Sequence, residues 1–200
     1  MKIILNIIII CLAGFSAFAQ LPEKAQDTSP LMIGETIPDA KLKAPDASEH
    51  SLSVILGLKP TVLLFYRGGW CPFCNLHLAE IQKAESQIIE MGWQIVAISP
   101  DSPENLNQTV EKHKLNYSLF SDGNGQLIKA MRIAFKAPEK YQEMLSKSSG
   151  GLNEGFLPVP SVFIVDTAGK ILFEYVNPDY KTRLSGTLLI AVLKSLKDNK

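Results

Sequence analysis

The run TVLLFY (61–66) is apolar and rich in β-formers, with no alternation of polar and apolar positions. Such a strand is buried on both faces, so the fold must cover it above and below. Beyond it the period changes. Leu78, Ile81, Ala84, Ile88 and Met91 recur at three- and four-residue steps, with Glu80, Lys83, Glu85 and Glu90 between them. That is one face of an amphipathic helix running from Cys74 until Gly92 stops it. WQIVAIS (93–99) is a second buried strand. Strand, helix and strand in this order require a sheet with helices packed on it.

The remaining segments extend the same plan. IGETIPDAKLKAPDASEHSLSVIL (33–56) has short alternating runs separated by turn residues and reads as an N-terminal hairpin. Ser102 and Pro103 fit the cap and first position of a helix reaching about Lys114. YSLFSD (117–122) is a short strand and residues 125–131 a short helix. Residues 135–157, with glycines at 150, 151 and 155, read as a long connection. SVFIVD (161–166), the turn TAGK and ILFEYV (171–176) form a second hairpin. Ser185 can cap a last helix carrying Leu188, Leu189, Val192, Leu193 and Leu196. The expected fold is α/β: a central mixed sheet with helices on both faces and an N-terminal hairpin.

Residues 1–19 stand apart from this pattern. They open on Lys2, run apolar from Ile3 to Phe15 and close on Ala17-Phe18-Ala19, as a cleaved secretory signal peptide does. Isoleucines fill the three positions before Cys11, where a lipoprotein signal wants small residues, so Cys11 leaves with the peptide. Residues 20–31 read as a flexible leader and 32–200 as one redox domain. Export predicts a periplasmic or secreted protein, with no membrane attachment after signal cleavage. Lys+Arg and Asp+Glu number 20 each. That balance gives no basic stripe for nucleic acid or anionic lipid.

Two of the three cysteines then remain, Cys71 and Cys74, at CxxC spacing where the buried strand hands over to the helix. This spacing puts both sulfurs on one face of the first helical turn, within disulfide range. Unpaired N–H groups and the positive end of the helix stabilise a thiolate there. Arg67 is placed to add positive potential, and Gly68 and Gly69 keep side chains out of the approach. Trp70 borders the site, Phe73 packs beside it, and Pro72 shapes the first turn. His77 reads as an ordinary helix-surface residue. A zinc site needs four ligands, and only His50, His77 and His113 are on offer besides. No metal or cofactor is expected.

On these residues the chain resembles the thioredoxin superfamily: WCPFC follows an apolar strand, and LPVPSVFIVDTAGKI (157–171) looks like its proline-bearing strand and closing hairpin. The resemblance implies a thioredoxin-like fold and a cis proline facing the CxxC at Pro160. IGETIPDAKL, FYRGGWCPFC, AISPDSPENL, LFSDGNGQLIKA and VNPDYKTRLS are similar, in order, to segments of its peroxiredoxin-like (alkyl hydroperoxide reductase/thiol-specific antioxidant) branch, in the members with a thioredoxin-style CxxC. The likeness runs from about Met32 onward. Laid on that family's P-x-x-x-T-x-x-C, the proline falls on Arg67, the threonine on Cys71 and the peroxide-attacking cysteine on Cys74. The family's peroxide-polarising arginine falls on Pro160.

The resemblance implies a hydroperoxide-reducing enzyme. In it Cys74 attacks, Cys71 closes a redox-active 71–74 disulfide, and a thioredoxin-like dithiol donor reduces that bond. Loss of the threonine and arginine implies a slow peroxidase. Thioredoxins instead attack with the first cysteine. A thiol:disulfide oxidoreductase acting on protein disulfides through Cys71, and a non-enzymatic binding module on this scaffold, are the alternatives.

Overall fold

The computed structural model describes residues 20–198. The signal-peptide expectation concerns residues outside that range. Nine strands and six α-helices are found within it. The first part of the chain holds β1 (Lys41–Lys43), β2 (Glu49–Ser51), α1 (Leu52–Leu58), β3 (Thr61–Phe65), α2 (Pro72–Glu90) and β4 (Gln94–Ser99). Then come α3 (Pro103–His113), β5 (Ser118–Ser121), α4 (Gln126–Ala130), β6 (Ala134–Lys136) and α5 (Gln142–Ser148). The chain ends with β7 (Phe156–Pro158), β8 (Ser161–Val165), β9 (Ile171–Val176) and α6 (Gly186–Asp198).

The main sheet runs β2-β1-β5-β4-β3-β8-β9. β3, β4 and β5 are parallel neighbours, and β8 and β9 add antiparallel on one side. The sheet is therefore mixed, as expected. Its central strands alternate between two cores, as the period of two in a strand dictates. Leu63, Phe65, Val96, Ile98, Phe163 and Val165 face one core with α1 and α4. Val62, Leu64, Ile95, Ala97, Val162 and Ile164 face the other, with α2, α3 and α6. Burial on both faces explains why TVLLFY carries no polar alternation.

Three segments differ from the sequence reading. SLSVIL belongs partly to a helix, α1: Leu52, Ile55 and Leu56 are buried at helical spacing, a stripe too short for periodicity to separate from a strand. Residues 135–157 are no bare connection. β6 and β7 pair as a separate two-stranded sheet, and α5 closes over them with Leu145 fully buried. Residues 20–31 lie along the body. Leu31 is buried, Leu21 and Ala25 pack against the core, and Lys136 N–H donates to the Pro22 carbonyl at 2.8 Å.

Candidate active site

The site begins where β3 ends. Gly68 takes φ +140°, a backbone angle that favours glycine. A Cβ on Gly68 would strike the Trp70 indole, and one on Gly69 the Thr109 hydroxyl. These glycines do more than clear an approach: they let the chain turn tightly under the indole. Gly69 N–H donates to the Asp101 carboxylate at 2.7 Å, tying the turn to the end of β4. Asn75 Nδ2 donates to the Gly69 carbonyl at 2.8 Å and closes it from the helix side.

α2 starts at Pro72 with Cys71 as its cap residue. Pro72 lacks an N–H and fits the first helical position. Both cysteines are free thiols, 2% and 1% exposed. The two sulfurs share one charge unequally. The Cys74 thiol donates to the Cys71 sulfur, and with the Cys74 backbone N–H and the Arg67 and Arg183 charges it holds Cys71 down to about 6 against the cost of burial. Deep burial pushes the Cys74 thiol well up, and the neighbouring Cys71 sulfur pushes it further. A first proton therefore leaves from Cys71.

Two arginines flank the pair. Arg67 is 5% exposed, with the rings of Tyr180, Trp70 and Tyr141 centred 4.5, 5.1 and 5.2 Å from its guanidinium carbon. Its backbone N–H helps hold charge on Cys74. Arg183, on the segment between β9 and α6, donates from Nη2 to Cys74 Sγ at 3.7 Å. Phe73 meets Tyr180 edge to face, ring centres 5.6 Å apart.

His77 is not on the surface. It is buried on α2, and Nε2 lies 3.1 Å from the Leu184 carbonyl. Burial, then the Arg183 charge, hold it down to about 4, so it is neutral at pH 7 and donates that hydrogen bond from Nε2–H. Three residues further along α2, Glu80 accepts from Gly186 N–H at 2.7 Å. Together these contacts pin the segment that carries Arg183.

The Val159–Pro160 peptide is trans, as is every peptide among the described residues. This corrects the cis bond expected at Pro160. Trans is the ordinary state of an X–Pro bond, and the preceding Val159 N–H is held by the Ile133 carbonyl at 2.8 Å. Pro160 still borders the site, lining a groove with Arg67, Tyr141 and Tyr180. Among the described residues no cluster of three or more His, Cys, Asp or Glu could hold a metal ion.

Arg67, Trp70, Phe73 and the two cysteines were legible from their place in one motif. Arg183, Tyr141, Tyr180 and Asp101 were not. VNPDYKTRLS and AISPDSPENL carry three of these four as ordinary-looking residues, and no local spacing marks them as neighbours of the sulfurs.

Comparison with known proteins shows the family and the fold. The family model described as AhpC/TSA family matches residues 33–173. The putative peroxiredoxin bcp of Haemophilus influenzae is 31% identical over 168 residues, 84% of this chain and 99% of that protein. Peroxiredoxin Bcp of Bacillus subtilis is 26% identical, over 83% of this chain and 95% of its own. Among solved structures, reduced Prx3 of Vibrio vulnificus in complex with H2O2 superposes with a TM-score of 0.70 at 18% identity, covering 82% of this chain and 99% of that one. Peroxidoxin BcpB of Mycobacterium tuberculosis superposes at 0.67 and 22% identity, over 83% and 98%. With a two-core mixed sheet, a strand-to-helix thiol motif and a family match over most of its length, the chain belongs to the AhpC/TSA family, the peroxiredoxin-like branch of the thioredoxin superfamily.

Proposed function

We propose that this chain is a thiol peroxidase whose Cys71/Cys74 pair cycles between dithiol and disulfide and is recharged by a thioredoxin-like dithiol. The observation that carries the reading is the unequal pair, one thiolate held at Cys71 near neutral pH beside a protonated Cys74. The curated relatives named as peroxiredoxins support the choice of peroxide.

The Cys71 thiolate attacks the distal oxygen of a hydroperoxide. An S–O bond forms, the O–O bond breaks, Cys71 is oxidised to sulfenic acid, and the alkoxide leaves and takes up a proton. Cys74, deprotonated with help from Arg183, then attacks the Cys71 sulfur. The S–S bond forms and hydroxide leaves as water. Thiol–disulfide exchange with the external dithiol restores both thiols. Arg183 and the N–H groups opening α2 offer positive potential where oxygen charge develops.

The family register favours Cys74 as the attacking sulfur, whereas burial favours Cys71. Single cysteine-to-serine variants, treated with hydrogen peroxide and a sulfenic-acid trap, separate them. Cys74→Ser is expected to label and Cys71→Ser to stay unlabelled. The opposite pattern moves the attack to Cys74, and no label in either variant or the parent ends the peroxidase reading.

A second reading is a thiol:disulfide oxidoreductase, favoured by Cys71 being the ionised member and by Pro160 lining a groove beside it. Cys74→Ser should then accumulate mixed disulfides with protein partners, and an empty trap removes it. Export to the periplasm or beyond rests on residues 1–19 alone. The amino-terminal sequence of the mature protein, expected to start at Gln20, tests it.

A further inference from the structure

Beside the thiol pair lies a groove of about 360 Å³, within the range of about 300–1,000 Å³ usual for small-molecule sites. Its walls are mostly apolar: Phe135, Leu157, Pro158, Pro160 and the rings of Tyr141 and Tyr180. Glu23, Lys24, Gln26 and Lys140 also line it but are exposed, and Arg67 is the one buried charged residue among the lining. Among the described residues the Arg67 guanidinium makes no ion pair and no hydrogen bond to the protein. Its Nε is buried with no partner.

A buried cation with idle donors is costly to keep. Three surrounding rings return part of that cost, about 0.5–2 kcal/mol for each contact, yet π faces do not satisfy guanidinium N–H groups. The simplest complement is one anion that accepts from those N–H groups and brings its own apolar body.

We propose that Arg67 and this groove bind the carboxylate of an amphiphilic organic acid, with its hydrocarbon along Phe135, Leu157, Pro160 and Tyr180. The planar, weakly hydrated guanidinium matches a carboxylate with two parallel N–H···O bonds. One carboxylate neutralises one buried charge, whereas a phosphate dianion would leave excess charge against apolar walls. Lys24 and Lys140 at the groove add long-range attraction for an anion, while Glu23 there is engaged by Lys136 at 3.1 Å. Where the inference rests on the peroxidase reading, it names the substrate class: hydroperoxides carrying a carboxylate are taken in preference to neutral ones of the same skeleton.

The test uses the reduced mature chain and three probes: decanoate, decanol and inorganic phosphate. Trp70, whose ring is 5.1 Å from the Arg67 guanidinium carbon, reports binding by its fluorescence. Decanoate is expected to bind saturably, at least tenfold tighter than decanol or phosphate. Arg67→Met should erase the preference of decanoate over decanol. If that variant does not fold, the comparison of probes on the unmodified chain still decides. Equal binding of decanol and decanoate, tighter binding of phosphate, or no saturable signal overturns the proposal. Hydrogen peroxide turnover is followed in parallel. Turnover without decanoate binding sinks this inference alone, and decanoate binding without turnover sinks the peroxidase reading alone.

Discussion

Replacing Arg183 with methionine isolates one electrostatic contribution to the second half of the proposed cycle. The guanidinium lies 3.7 Å from Cys74 Sγ. Two unit charges at that separation interact by about 1 kcal/mol at bulk-water dielectric and about 4–5 kcal/mol at an effective constant of about 20. Arg183 is only partly buried, so solvent still reaches and screens the pair and favours the lower end, close to one pKa unit. The two steps respond differently. Cys71 is held to about 6 chiefly by the Cys74 thiol, with Arg183 a lesser cause. A rise of one unit would leave about half of Cys71 ionised at pH 7, so sulfenic acid formation should slow by about twofold or less. Cys74 lies well on the protonated side, where each unit removes about nine-tenths of its thiolate. The gain in nucleophilicity with pKa, about 0.4–0.5 of a log unit, offsets part of this. Closure of the 71–74 disulfide should therefore slow by about three- to fourfold. Rapid mixing with peroxide, acid quench and mass spectrometry of sulfenic acid against disulfide resolves the two rates. Equal slowing of both steps, or none of closure, would refute the assignment of Arg183 to Cys74.

Three further outcomes follow from the same geometry. Alkylation of the reduced protein at Cys71 should be flat above pH 7 and fall about tenfold per unit below pH 6, because its thiolate is lost as pH drops through about 6; a midpoint near 8.5 contradicts the shared-charge pair. Burial raises Asp101 to about 6 although Gly69 N–H donates to it. Its folded value exceeds the unfolded one, so the ionised form weakens the fold above about pH 6 and has no effect below about pH 4. Asp101→Asn, which keeps an acceptor for Gly69, should stabilise the protein by about 1–3 kcal/mol at pH 7.5 and by nothing at pH 3.5 in urea unfolding; a pH-independent change rules out this cause. His77→Ala removes the buried bond to the Leu184 carbonyl and should cost about 1–3 kcal/mol. It should also slow disulfide closure in the way Arg183→Met does, and unchanged closure would mean that Glu80 alone holds the segment.

Local pattern carried the architecture where neighbours in sequence are neighbours in space. The apolar run ending at Phe65 announced a strand buried on both faces, the spacing of Leu78, Ile81 and Ile88 announced α2, and Ser102-Pro103 announced the start of α3, where Asn105 N–H donates to the Ser102 hydroxyl at 3.4 Å. α1 escaped because seven residues hold too few turns for a period to show. The β6–β7 pair escaped because its strands of three residues each lie some twenty residues apart.

The sequence by itself determined the fold class, the family and the pair of sulfurs at a strand-to-helix junction, since each is written in consecutive residues whose spacing fixes their faces. Only the tertiary structure decided which sulfur holds the charge. That choice depends on how deeply Cys74 is buried and on the hydrogen bond its thiol gives to Cys71, against the opposing pull of Arg183, which reaches Cys74 from 109 positions away. It also decided that His77 is a buried clamp, that Pro160 follows a trans peptide, and that Arg67 lies among three rings. Burial and charge separation are properties of assembled surfaces, and dielectric screening makes their effects depend on every group within a few ångströms, whatever its place in the chain.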